Sequence, residues 1–303
     1  MTFLKKLAHA QQKNRSYLCI GLDVVVAHTP LPLQGHDEPM LPFARAIIEA
    51  TQDLVCAYKP NLGFFLAEGA AGMVALERIV RIIPADIPII LDGKFGDIGN
   101  TAVAYARGAF EQFRADAVTL SPYIGSDSVK PFLASAEHGA FVLARTSNPN
   151  AAEFQSLHLG VEPSLIHRQE ASTTELTTAT RQNEWNTDDR LLYEHVALAA
   201  SQWNHEVPGT CGLVVGATAP RELERIRALT PDLPFLIPGV GAQGGDLQAA
   251  LKYGFTRGGL GPVVNASRSV IYASQTDAFA YDARTAALQI VQQMRNQVVS
   301  DGL

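Results

Sequence analysis

The segment Asp92-Gly-Lys94-Phe-Gly-Asp97 places three charged side chains directly after the apolar run Ile89-Ile-Leu91. Asp92 and Lys94 are two residues apart, so on an extended chain both point to the same side. For Asp-x-Lys alone, a salt bridge at a strand end is the simpler account. A second lysine changes the balance: Lys59, in Val55-Cys-Ala-Tyr-Lys-Pro-Asn61, ends the preceding apolar run and would neighbour the cluster. Lys59, Asp92, Lys94 and Asp97 would then form a line of alternating charges in a partly dry pocket. Each carboxylate keeps its neighbouring ammonium protonated, and each ammonium keeps its neighbouring carboxylate ionised. Burying such an array is costly and gives little stability in return, so it suggests function.

A second constellation lies near the other end of the chain. Pro238-Gly-Val-Gly-Ala-Gln243-Gly-Gly-Asp246 follows an apolar run and leads into a helix. Glycines let backbone N–H groups converge on an anion, and a helix start adds positive potential. Gly261-Pro-Val-Val-Asn-Ala-Ser-Arg268 comes after the last expected strand, where Arg268 is suited to grip two phosphate oxygens. Asp23 ends the first strand, placed either to accept hydrogen bonds from sugar hydroxyls or to cap the following turn. Thr146-Ser147-Asn148-Pro149 offers hydroxyl and amide groups after the fifth strand, or forms a simple turn. The eight histidines are scattered, and no metal-ligand spacing or Ser/His/Asp arrangement emerges.

These residues need a scaffold that gathers strand ends. Short apolar runs bounded by turn residues predict strands at Tyr17–Leu22, Ala57–Pro60, Ile87–Leu91, Ala117–Ser121, Ala140–Ala144, Gly212–Val215, Pro234–Ile237 and Arg257–Leu260. Helical spacing recurs in Phe43, Ile47, Ala50 and Leu54, in Val103, Ala106, Phe110 and Phe113, and in Ala283, Ala287, Ile290, Met294 and Val298. Asp246 is placed to cap one helix and Thr218-Ala-Pro220 to open another. Continuous apolar strands alternating with helices fit parallel strands covered on their outer face. Eight such units make a (β/α)₈ barrel the expected architecture, with the site at the carboxyl ends of its strands and a phosphate site after strands seven and eight. At 303 residues the chain reads as a single barrel domain. A polar excursion at about 160–190, rich in Thr, Glu, Gln and Asn, reads as a surface insertion or a lid.

Composition narrows the partners. The net charge of −6 argues against general affinity for nucleic acid or an anionic membrane. Cys19, Cys56 and Cys211 read as buried reduced thiols. No apolar run approaches the ~18 residues of a membrane span, and the amino terminus does not read as a signal peptide. A soluble, cytoplasmic protein is expected.

With these residues in view, the sequence resembles the orotidine 5′-phosphate decarboxylase family, in its longer bacterial branch. The resemblance runs from Leu18-Cys-Ile-Gly-Leu-Asp23 to Arg268-Ser-Val-Ile-Tyr272. It is carried by Tyr58-Lys-Pro-Asn61, Leu91-Asp-Gly-Lys-Phe-Gly-Asp-Ile-Gly-Asn-Thr101, Thr119-Leu-Ser-Pro-Tyr-Ile-Gly125, Arg145-Thr-Ser-Asn-Pro149, Val215-Gly-Ala-Thr218 and the glycine loop Pro238–Asp246. It implies decarboxylation of orotidine 5′-phosphate to uridine 5′-phosphate in pyrimidine biosynthesis, with no cofactor and no metal. Lys59, Asp92, Lys94 and Asp97 would be the charged array, and Lys94 the proton donor to the ring carbon. Asp23 and Lys59 would hold the ribose, Ser147 the pyrimidine, and Gln243 and Arg268 the phosphate. The active unit would be a homodimer, with Asp97 and Thr101 reaching into the partner's site. Phe95 stands where many relatives carry a basic residue, and its side chain is expected to point away from the substrate. Sugar-phosphate relatives share the Asp-x-Lys-x-x-Asp framework but use magnesium; Thr119–Gly125 and Thr146–Pro149 favour the nucleotide enzyme.

Overall fold

The computed structural model describes residues 1–159, 190–240 and 244–302. Eight parallel strands run through it: β1 (Leu18–Leu22), β2 (Ala57–Pro60), β3 (Ile90–Phe95), β4 (Ala117–Leu120), β5 (Gly139–Arg145), β6 (Thr210–Val215), β7 (Phe235–Pro238) and β8 (Val263–Ala266). Their spatial order is β2-β1-β8-β7-β6-β5-β4-β3. Parallel bridges from Tyr58 to Ile89 and from Asn61 to Asp92 join the two remaining edges and close the barrel. Helices between successive strands form the outer layer, so the chain adopts the expected (β/α)₈ fold.

Strand periodicity divides the core in two. Cys19, Ala57, Ile90, Ala117, Phe141, Val214, Leu236 and Val263, one from each strand, form a small buried cluster capped by Phe3 and Leu7 of the amino-terminal helix Phe3–Asn14. Phe3 meets Phe141 edge to face, with ring centroids 6.0 Å apart. Residues of opposite parity, such as Leu18, Ile20, Val118 and Leu213, face the helices in the larger cluster. The small cluster therefore fills the barrel interior and plugs its lower half. Two to four residues further along, the same inward parity delivers Asp23, Lys59, Asp92, Thr119 and Asn265 to the upper half. A filled barrel bottom thus becomes a charged barrel top within one turn of the pleat.

Three expectations are corrected. The eighth strand is Val263–Ala266, because Arg257–Leu260 folds as a turn instead. Leu260 N–H donates to Thr256 Oγ1 at 3.0 Å, and Gly259 takes φ +83°, which glycine adopts at little cost. The third strand is Ile90–Phe95 rather than Ile87–Leu91, so Asp92 and Lys94 lie within the strand and Asp97 just beyond it. Val103 is exposed; the helix Gly99–Arg107 buries Ala106 as expected, but with Ala102 in place of Val103. Elsewhere, Asp246 caps the helix Leu247–Gly254, accepting from Ala249 N–H at 2.9 Å, and Pro220 opens the helix Pro220–Leu229. In the helix Phe279–Asp301, Ala283, Ala287 and Met294 are buried. Residues 160–189 of the polar excursion lie outside the described residues; beside them, His158 and Leu191 pair antiparallel. Among the described residues no helix is long and apolar enough to cross a membrane.

Candidate active site

Asp92 is the hub of the site. Lys59 Nζ donates to its Oδ2 at 2.6 Å and Lys94 Nζ to its Oδ1 at 2.6 Å. The Thr119 hydroxyl donates to the same Oδ1 at 2.8 Å. Lys59 and Asp92 are buried, whereas about half of the Lys94 side chain remains exposed toward the barrel mouth. For Asp92, burial by itself would raise the pKa, but the Lys59 and Lys94 ammoniums together outweigh it and hold the carboxyl well below the usual range. Burial likewise opposes the charge on Lys59, yet Asp92 and then Asp23 raise its pKa above the ordinary lysine value. Lys59 and Asp92 therefore face each other as a buried ion pair at neutral pH.

Local backbone geometry presents Lys94. Its φ is +46°, a left-handed conformation that costs a non-glycine residue roughly 1–2 kcal/mol. The pairing of β3 with β4 shifts register between Leu91 and Phe95, and Lys94 N–H donates to Thr119 Oγ1 at 3.0 Å across that irregularity. Phe95 turns the other way, packing against Tyr105 and Phe132 with centroids 5.3 and 5.6 Å distant, as expected for a side chain directed away from the charges.

Beside the array lies a cleft of about 170 Å³ lined by Asp23, Lys59, Asn61, Asp92, Asn265, Ser267 and Arg268. Asp23 Oδ1 and Asn265 Oδ1 are buried there without a hydrogen-bond partner among the described residues. The turn after β1 is tied instead by Tyr272, whose hydroxyl accepts from Val25 N–H at 2.7 Å and donates to the Asp23 carbonyl at 3.1 Å. Among the described residues, Asp23 Oδ1 is thus open to a donor from the cleft. Arg268 is exposed at the rim, opening the short helix Arg268–Ile271. Gln243, expected opposite it, lies outside the described residues.

The remaining expected residues make no hydrogen bond or ion pair with the array among the described residues. Ser147 is half-buried at the end of β5; its backbone backs closely onto Gly216, where a Cβ would lie 2.9 Å from Ser147 N. Thr146 and Asn148 are occupied by the local turn, the Thr146 hydroxyl donating to Asn148 Oδ1 at 2.6 Å and accepting from Gln155 Nε2 at 2.8 Å. Asp97 caps its own turn by accepting from Ile98 N–H at 2.8 Å and makes no ion pair among the described residues. Thr101 is exposed on the outer surface of the helix Gly99–Arg107. Within this chain the array is therefore three residues long.

Sequence reasoning passed over Thr119, Asn61 and Asn265 as site residues. Their signal was present: Thr119 and Asn265 are lone polar residues in the apolar strands Ala-Val-Thr-Leu and Val-Val-Asn-Ala, at the inward parity.

A sequence profile of the "Orotidine 5'-phosphate decarboxylase / HUMPS family" matches residues 16–283. The chain belongs to that family. An orotidine 5′-phosphate decarboxylase of Azoarcus sp. (strain BH72) is 44% identical over 293 residues, covering 95% of this chain and 97% of that protein. The structure of Leishmania donovani OMP decarboxylase superposes with a TM-score of 0.75 at 35% identity, covering 98% of each chain. Leishmania donovani UMP synthase gives 0.78 at 37% identity; the match covers 98% of this chain and 56% of that longer one. In this member of the decarboxylase family, the charge line and the cleft share the carboxyl-terminal face of the barrel, where the fold places its reactions.

Proposed function

We propose that the chain decarboxylates orotidine 5′-phosphate to uridine 5′-phosphate, a step of pyrimidine biosynthesis, without a cofactor or metal. The observation that carries this reading is the Lys59–Asp92–Lys94 line beside a cleft rimmed by Arg268. Arg268 and Gln243 take the phosphate, Asp23 and Lys59 the ribose hydroxyls, and Ser147 the pyrimidine. The bond between the ring carbon and the carboxylate breaks, carbon dioxide leaves, and the electron pair stays on the ring carbon. The Lys94 ammonium, the exposed end of the line, stabilises that developing charge and then delivers its proton to the same carbon. Asp92 orients Lys94 and faces the departing carboxylate. Because the phosphate is remote from the bond that breaks, its binding energy serves to hold the ring in place.

The active unit in this reading is a homodimer in which the partner's Asp97 and Thr101 complete each site. Support comes from the surface around them: Ile98, Val103, Tyr105, Tyr123 and Ile124 are all exposed large apolar residues, a concentration typical of an interface. Three free buried cysteines accord with a cytoplasmic location, and the whole of 1–303 is read as one barrel domain.

The test is to follow orotidine 5′-phosphate absorbance with purified protein before and after exhaustive chelation. Turnover unchanged by the chelator is expected. No turnover, or turnover restored only by magnesium, would instead favour a sugar-phosphate relative of the family.

A further inference from the structure

An ionised carboxylate only accepts hydrogen bonds, so the single hydroxyl proton of Thr119 is committed to Asp92 Oδ1 at 2.8 Å. A hydroxyl lone pair is then what receives Lys94 N–H at 3.0 Å. One oxygen, on the neighbouring strand, therefore clasps both ends of Asp92-Gly93-Lys94. Thr119 is buried, and β-branching restricts its χ1, so the oxygen is a rigid reference point. It also spans the place where the pairing of β3 and β4 loses register, which is where Lys94 takes its left-handed φ of +46°.

We propose that Thr119 is a positioning residue for the decarboxylation: its hydroxyl sets the direction of the Lys94 ammonium by fixing that residue's backbone and its carboxylate partner together. The proposal rests on the functional reading above. Thr119 does not line the cleft, and among the described residues its side chain hydrogen-bonds Asp92 and Lys94. A side chain of the same shape without the hydroxyl would leave ribose and phosphate contacts in place while freeing Lys94 to swing.

The experiment compares the parent enzyme with Thr119→Val, Thr119→Ala and Thr119→Ser by steady-state kinetics on orotidine 5′-phosphate, with product-inhibition constants for uridine 5′-phosphate measured alongside. Misplacement of a reacting group by about an ångström can cost about a hundredfold, so kcat is expected to fall at least tenfold in the valine variant. KM and the product-inhibition constant should stay within about threefold of the parent, as expected when only a transition-state contact is lost. Thr119→Ser, which keeps the hydroxyl, should return kcat to within about threefold by the same reasoning. Thr119→Ala covers the case in which valine fails to fold, and the same selective fall in kcat is required of it. A valine or alanine variant with kcat near the parent's overturns the inference. So does a parallel loss of kcat and substrate affinity that serine does not rescue, which would indicate general distortion. A parent that does not turn over orotidine 5′-phosphate would remove the functional reading itself, an outcome visible before any variant is compared.

Discussion

At the scale of single residues, Asp92 concentrates the electrostatic stakes of the site. Its two oxygens receive two ammoniums and a hydroxyl, and its pKa is held well below the usual carboxylate range. Asp92→Asn would leave Lys59 buried without its counter-charge, a loss on the order of 3–5 kcal/mol at neutral pH. The sign of the pH dependence follows from linkage. A carboxyl depressed in the folded state contributes stability above its unfolded pKa, about 3.9, and loses it as pH falls toward the folded value. Chemical denaturation at pH 7 and at pH 3 should therefore show a smaller stability gap between parent and Asp92→Asn at the lower pH. A gap of equal size at both would mean that Asp92 is not an ionised partner of Lys59. Lys59, raised above the ordinary lysine value, contributes in the opposite direction: its share is present at neutral pH and is lost only as alkali deprotonates it.

At the scale of elements, β3 is the part that turns a strand into a site. Gly93 is required there by a neighbour, since a Cβ would lie 2.4 Å from the Phe95 ring, and that ring is already packed against Tyr105 and Phe132. Gly93→Ala must displace Phe95 or the backbone of Lys94, at a cost of roughly 1–3 kcal/mol. Both a lower melting temperature and a loss of turnover are expected from thermal unfolding and the absorbance assay; a variant with the parent's melting temperature would contradict this packing. How much of this was legible varies by residue. The two-residue spacing of Asp92 and Lys94 correctly placed both charges on one line, and Lys59 joined them because adjacent strands end side by side. The left-handed turn at Lys94 and the Thr119 clasp were not legible, because both depend on the register between β3 and β4, which local spacing does not encode. Arg257–Leu260 was mistaken for β8 because a short apolar, glycine-bearing run fits a tight turn as well as a strand. On Gly99–Arg107 the expected Ala106 is buried, but Val103 was misplaced: Ala102 is too small to announce a core face, while Val103 looks apolar but is exposed.

At the scale of the whole molecule, the barrel separates stability from chemistry along its axis, with apolar plug residues below and charged residues of the same parity above. Among the described residues Asp97 and Thr101 bond to no member of their own array, and they border a surface rich in exposed apolar side chains. If the partner's Asp97 completes each site, inactive Lys94→Ala and inactive Asp97→Ala proteins should complement on subunit exchange. Half of the dimers would be mixed, each with one intact site, so about a quarter of parent activity should return; none returning despite demonstrated exchange would place Asp97 outside the partner's site. The central claim, however, is that the ammonium at the open end of the line performs the reaction. Its most direct measurement is kcat/KM of Lys94→Ala on orotidine 5′-phosphate. A loss of a thousandfold or more, about 4 kcal/mol in the barrier, is predicted; activity within about tenfold of the parent, roughly 1.4 kcal/mol, would contradict Lys94 as the proton donor.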